Sequence, residues 1–134
     1  MLIPELSVSN FEKSLKFYVT ILGFSILYQR KEEGFVYLTL NQAHIMIDAI
    51  GIGRTWKTGE FSYPLGRGVN FQIQVACIEP LLCNLKVHNI ALFQDVEEKW
   101  YKKDNDLIGH KQFLVMDPDG YLLRFFEEIQ NSGC

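Results

Sequence analysis

Hydrophobic positions recur along the chain with two spacings. Ile3 to Val8 is short and partly alternating and predicts a strand, with Pro4 near its start placing it at an edge or a strand beginning. Phe11, Leu15, Tyr18 and Leu22 then follow at helical spacing and give one apolar face. Ser9 and Glu12 fit an S-x-x-E capping box at the start of this helix, and Gly23 stands where a left-handed residue ends one. Three strand-like runs come next: Phe24 to Arg30, Phe35 to Leu40 after a turn at Glu32-Glu33-Gly34, and Ala43 to Ile50 after a tight turn at Asn41-Gln42. The predicted order of this half is β-α-β-β-β.

Gly51 to Gly68 interrupts the periodicity. Gly51, Gly53, Gly59, Gly66, Gly68 and Pro64 mark it as a loop joining two halves. Gly66-x-Gly68 is not a dinucleotide fingerprint, because no third glycine follows and a strand rather than a helix comes next. Beyond it the pattern repeats. Val69 to Val75 alternates through Phe71, Ile73 and Val75, and Ile78, Leu82 and Leu85 form a helical stripe with Glu79 and Pro80 in its first turn. Ala91 to Glu97 reads as a strand, and Gln112 to Met116 and Tyr121 to Glu127 as a hairpin around Asp117-Pro118-Asp119-Gly120. The halves match at an offset of 67 residues, with Val8 against Val75, Phe11 against Ile78, Glu12 against Glu79 and Leu15 against Leu82. A tandem duplication is the simplest account. It predicts an α+β single domain over 1–134, made of two β-α-β-β-β units at about 1–50 and 69–130. Units this small bury their sheets only by packing against each other or a neighbour. Two curved sheets then leave a concave face open for a ligand.

Composition narrows the function classes. A 134-residue chain with 48% hydrophobic and 22% charged residues is long and apolar enough to fold unaided. A formal charge of −3 without a basic run offers phosphate backbones no footprint, so no nucleic-acid partner is expected. No window approaches the roughly 20 apolar residues of a membrane span, and Met1 to Glu5 lacks the basic start of a secretory signal. Cys77, Cys83 and Cys134 have no C-x-x-C spacing and read as reduced thiols of a cytoplasmic protein.

Candidate chemistry is sparse. His44 and Asp48 lie four apart on a predicted strand and share a face, as a polar pair or part of a metal site. His88 falls near a helix end, where it reaches the last carbonyls, and His110 falls in the polar stretch 102–111, read as a solvated loop. The mixed charges of 96–106 read the same way. Asp117 and Asp119 read as turn chemistry, and no Ser, His and Asp grouping has a nucleophile-elbow context. The aromatic content, 13%, is what composition leaves unassigned.

The paired units, with VSNFEKSLKFYVTILGF at 8–24 and QFLVMDPDGYLLRF at 112–125, resemble the vicinal oxygen chelate superfamily, and within it the bleomycin resistance proteins of the glyoxalase-like group. The resemblance spans nearly the whole chain and implies two curved sheets around a groove. It also implies a homodimer, often with its first strand exchanged between chains. Enzymes of the superfamily hold a divalent metal with His on the first strand of each unit and Glu near the last. The matching positions here are Ile3, Asn70 and Arg124. An aliphatic chain, an amide and a guanidinium without a lone pair do not make that site. No metal, cofactor or catalytic residue is therefore expected.

The resemblance further implies a groove aromatic at Phe35 and a ring contribution from Trp100 and Tyr101. Trp56 in the linker is placed to close over the groove, and Asp48, Glu60 and Asp95 are acidic candidates for a cationic ligand. The expected function is a metal-free small-molecule binding protein, bleomycin-resistance-like, that sequesters a drug or other ligand in an aromatic groove. The alternatives are a divalent-metal lyase, thiol transferase or dioxygenase of the same superfamily, and an interaction module with no small ligand.

Overall fold

The computed structural model describes residues 1–129. Gln130, at the end of the second expected unit, and Cys134 lie outside the described residues. The first unit runs β1 (Glu5–Val8), α1 (Phe11–Leu15) with a π-helical continuation (Lys16–Ile21), β2 (Ser25–Arg30), a short 3₁₀ turn (Lys31–Glu33), β3 (Phe35–Leu40) and β4 (Ala43–Ala49). The second runs β5 (Asn70–Gln74), α2 (Glu79–Val87), β6 (Gln94–Lys103), β7 (Asp106–Met116) and β8 (Leu122–Glu128). Each folds into a four-stranded mixed sheet, in the orders β1-β4-β3-β2 and β5-β8-β7-β6. In both, the strand before the helix pairs in parallel with the last strand and the remaining pairs are antiparallel. This is the duplicated β-α-β-β-β architecture that the 67-residue offset predicts. Within the chain β1 pairs with its own β4.

One contiguous core serves both units. Val8, Val36, Leu38 and Ile47 from the first sheet join Ile73, Phe113, Val115, Leu123 and Phe125 from the second, together with Phe17, Tyr18 and Ile21 of the first helix and Ile78, Leu81 and Leu85 around the second. Continuity of this kind follows from the small size of each unit, which buries little surface alone. In the first helix the Leu22 amide bonds to the Phe17 carbonyl, five residues back, at 3.0 Å. That wider π turn carries Phe17, Tyr18 and Ile21 as its buried residues.

A polar network ties the units together at the Asp117–Gly120 turn. Asp117 Oδ1 accepts from the backbone amides of Asp119 and Tyr121, both at 2.9 Å, while its Oδ2 accepts from the Tyr18 hydroxyl of the first unit at 2.8 Å. Burial raises the Asp117 carboxyl to about 6, against the lowering effect of these three donors. The Tyr18 hydroxyl is pushed well above its ordinary range, first by burial and then by the adjacent Asp117 charge. Asp119 accepts from the Ser9 amide at 3.1 Å and the Ser9 hydroxyl at 2.6 Å, and Tyr121 Oη donates to the Ser7 carbonyl at 2.9 Å.

Three local expectations change. Ser9 is not the helix cap: Asn10 is, its Oδ1 accepting from the Lys13 amide at 3.0 Å, because Asp119 takes the Ser9 side chain. The stretch 102–111 is not a loop. β6 and β7 extend through it as a long hairpin turning at Asp104-Asn105, with Asp104 at φ +54°. The thiols also depart from a fully reduced set, since Cys83 is free and exposed but Cys77 is disulfide-bonded. His88 behaves as expected, its Nδ1 lying 2.9 Å from the Asn84 carbonyl at the end of α2. Among the described residues no helix is long and apolar enough to cross a membrane.

Candidate functional site

Strand alternation sends one set of side chains from each sheet into the core and the other to an open face. In the first sheet Val36, Leu38, Ile45 and Ile47 point inward. Their neighbours Phe35, Tyr37 and Thr39 on β3 therefore share the outer face with Asp48, Met46 and His44 on β4, each the direct cross-strand partner of its counterpart, and on that face Phe35 and Tyr37 are themselves buried by the side chains around them. From the edges, Glu5 and Ser7 of β1 pair with Met46 and Asp48, and Tyr28 and Arg30 of β2 pair with Tyr37 and Phe35. The expected site residues Phe35 and Asp48 are thus brought side by side.

The rings of this face form a cluster. Tyr28 lies 5.9 Å from Phe35 and 5.4 Å from Tyr37, and the Tyr37 hydroxyl is 2.9 Å from His44 Nδ1. The Arg30 guanidinium sits 4.1 Å above the Phe35 ring, and its Nε lies 3.3 Å from Glu33. The 3₁₀ turn that aligns Arg30 with Phe35 ends at Gly34, whose φ of +64° is left-handed, and a Cβ there would stand 2.6 Å from that of Ala49. Burial pushes up the carboxyl of Glu5, with Asp48 adding to the rise and Arg30 opposing it. Asp48 is also raised, by burial, while Arg30 lowers it and Glu33 raises it.

The second sheet has an equivalent face. Gln112 pairs with Phe126, His110 with Glu128 and Gln72 with Arg124. His110 stacks on Phe126 with centroids 4.1 Å apart and lies 5.2 Å from Tyr101. Gln112 accepts from Tyr101 Oη at 3.2 Å and donates to Glu97 at 3.0 Å. Burial lowers the His110 imidazole, Glu128 opposing and Arg124 reinforcing that fall, so the neutral ring is favoured in the stack.

The five expected ligand-binding residues separate. Phe35 and Asp48 share the first face and Tyr101 stands on the second. Trp100, next along β6, points to the other side of its sheet, where its ring covers Gly109; a Cβ on Gly109 would meet the ring at 2.7 Å. Trp56 lies in the linker, well exposed, with the Arg54 guanidinium 4.4 Å over its ring. Glu60 is paired to Lys57 in the same linker at 3.4 Å, and Asp95 is exposed on β6. Tyr28, Arg30, Tyr37, Gln112 and Phe126 are not singled out in the sequence, and His110 is read there as part of a solvated loop. The period-two pairs Phe35/Tyr37 and His110/Gln112 were the available signal, and it becomes readable only once the buried face is known.

Donor chemistry decides the positions where superfamily enzymes hold a metal. Asn70 pairs with Leu122, and Arg124, far from leaving a vacant ligand position, donates from Nη2 to Gln72 Oε1 at 2.9 Å. A hydrogen-bonded guanidinium has no electron pair for a cation. Among the described residues no group of three His, Cys, Asp or Glu side chains gathers elsewhere. These residues do not fit a metal centre.

Comparison with known proteins agrees with this architecture. No family model matches the chain. Bleomycin resistance proteins from Geobacillus stearothermophilus and Staphylococcus aureus are 27% identical over 139 residues, covering 96% of this chain and 97% of theirs. A glyoxalase/bleomycin resistance protein/dioxygenase superfamily member from Vibrio splendidus is 36% identical, with 93% of this chain and 95% of that one covered and a TM-score of 0.43. TioX from Micromonospora sp. ML1, 17% identical, superposes with a TM-score of 0.73 over 96% of this chain and 98% of its own, and so shares the fold.

Proposed function

We propose that the chain is a glyoxalase/bleomycin resistance protein-like member of the vicinal oxygen chelate superfamily and, on that premise, a metal-free binding protein that reversibly sequesters a flat small molecule of the bleomycin type. One observation carries the reading. Aromatic rings gather on the open sheet faces, while the superfamily's ligand positions hold Ile3, Asn70 and an Arg124 engaged with Gln72. Each ring stacked on a planar ligand adds about 0.5–1.5 kcal/mol beyond the area it buries, so a few such contacts hold a drug without covalent chemistry. Phe35 and Asp48 on one face and Tyr101 on the other are the contacts of this reading. A homodimer belongs to it as well, since the edge strand β2 leaves Ile26, Leu27 and Tyr28 exposed and available for burial by a second copy.

Calorimetric titration with bleomycin tests the proposal. Saturable heat is expected; flat traces at high micromolar drug overturn drug binding. Elemental analysis after addition of Zn, Mn or Ni runs beside it. Stoichiometric retained metal would overturn the metal-free reading in favour of a divalent-metal enzyme. Sedimentation at twice the 15.5 kDa chain mass is the expected result for the dimer.

A further inference from the structure

The face of the Phe35 ring that a flat ligand would use is already taken. Arg30, across β2 and β3 from Phe35, lays its guanidinium 4.1 Å over that ring and 6.0 Å from the Tyr28 centroid. A guanidinium is itself a planar cation, and this one rests as such a ligand would on a ring cluster. It is not locked there. Its only ion pair among the described residues is the 3.3 Å contact to Glu33, three residues along an exposed turn, and its side chain is 45% exposed. Such a pair contributes little, so the guanidinium swings away at small cost.

The charges around the shelf exceed what Arg30 neutralises. Glu5, Asp48 and Glu33 all act on this region, with Arg30 as the cation common to Glu5 and Asp48. Neither the Glu5 nor the Asp48 carboxylate makes a hydrogen bond or an ion pair within 4 Å among the described residues, so both are placed to meet an incoming charge. His44, the other titratable group of β4 on this face, is turned to the Tyr37 hydroxyl.

We propose that Arg30 is a built-in competitor: its guanidinium occupies the Tyr28–Phe35 shelf, and a ligand carrying a planar cationic group (an amidinium, a guanidinium or a protonated heteroaromatic amine) binds by displacing it and taking up Glu5 and Asp48. This rests on the small-molecule binding reading above and sharpens it, because it names the cationic group and the residue that sets the threshold for its entry. A neutral flat ligand gains the ring but leaves the two carboxylates unmatched. A cation gains both once Arg30 is gone.

The test uses the full chain and its Arg30→Gln variant, titrated by calorimetry with benzamidine and with its neutral relative benzamide. Arg30→Gln is expected to bind benzamidine about fivefold more tightly than the wild type, the equivalent of one exposed cation–π contact, with benzamide gaining far less. Adding Asp48→Asn to the variant is expected to remove most of the gain. Equal benzamidine affinity in wild type and variant overturns the proposal, and so does an equal gain for benzamide. Thermal unfolding of each variant confirms that it is folded before titration. Bleomycin titrated in parallel separates the two claims: a wild type that binds the drug while Arg30→Gln leaves benzamidine unchanged refutes the competitor alone.

Discussion

The Asp117 carboxyl at the junction of the units yields a quantitative expectation. It is 3% exposed and accepts from three donors, yet its burial raises it from 3.8 to about 6. Each pKa unit corresponds to about 1.4 kcal/mol, so ionised Asp117 costs the folded state about 3 kcal/mol relative to an ordinary carboxylate at neutral pH. Because the folded value lies above the unfolded one, the native state binds the proton more tightly. This group's favourable contribution is therefore complete below about pH 4 and is lost as pH rises through about 6. Asp117→Asn removes the titration while keeping the geometry: its Oδ1 accepts from the amides of Asp119 and Tyr121, and its Nδ2 donates to the Tyr18 oxygen. Urea unfolding of both proteins between pH 4 and 7 isolates the effect. Wild-type stability minus that of the variant is expected to increase by about 2–3 kcal/mol as pH falls across that range. A difference independent of pH refutes the reasoning. A difference of opposite slope shows that the three donors outweigh burial and hold the carboxyl below its ordinary value.

Other expectations follow from close contacts and charge. Gly120→Ala meets Pro64 Cα at 2.7 Å and forces an L-residue to φ +92°; a loss of about 2–4 kcal/mol in urea unfolding is expected, and a loss below about 1 kcal/mol counts against the tight linker–turn contact. Gly109→Ala pushes a methyl into the Trp100 ring, so the tryptophan emission shifts to the red while ligand binding at Phe35 is unchanged; unaltered emission contradicts the placement of Trp100 over Gly109. The raised carboxyls of Glu5 and Asp48 must ionise to meet a cation. Benzamidine affinity for Arg30→Gln is therefore expected to fall between about pH 7 and pH 4, through a range above ordinary carboxylate values, and a flat profile excludes the two carboxylates as its partners.

Local pattern alone determined the repeated β-α-β-β-β order, the helical stripe from Phe11 to Leu22 and the Asp117–Gly120 turn. Each depends on neighbours within a few residues, where alternation, helical spacing and turn chemistry act directly. The residue types at positions 3, 70 and 124 were equally legible, since Ile3 and Arg124 offer a cation no lone pair whatever surrounds them and Asn70 offers only an amide oxygen. Other features came only from tertiary structure. Asn10 rather than Ser9 caps the first helix because Asp119, 110 residues away from Ser9, accepts from its hydroxyl. The β6–β7 hairpin was hidden because β6 is exposed along nearly its whole length and so shows no alternation between faces. Once β7 runs through His110, that residue leaves the assumed loop and stacks on Phe126. The phase of β6 then separates Trp100 from Tyr101, two adjacent rings that composition treated alike. Sequence limited the candidate rings to a handful. Which of them face a ligand, and that Arg30 lies over one, depends on strand register and cross-strand pairing, which join residues that are distant or indistinguishable along the chain.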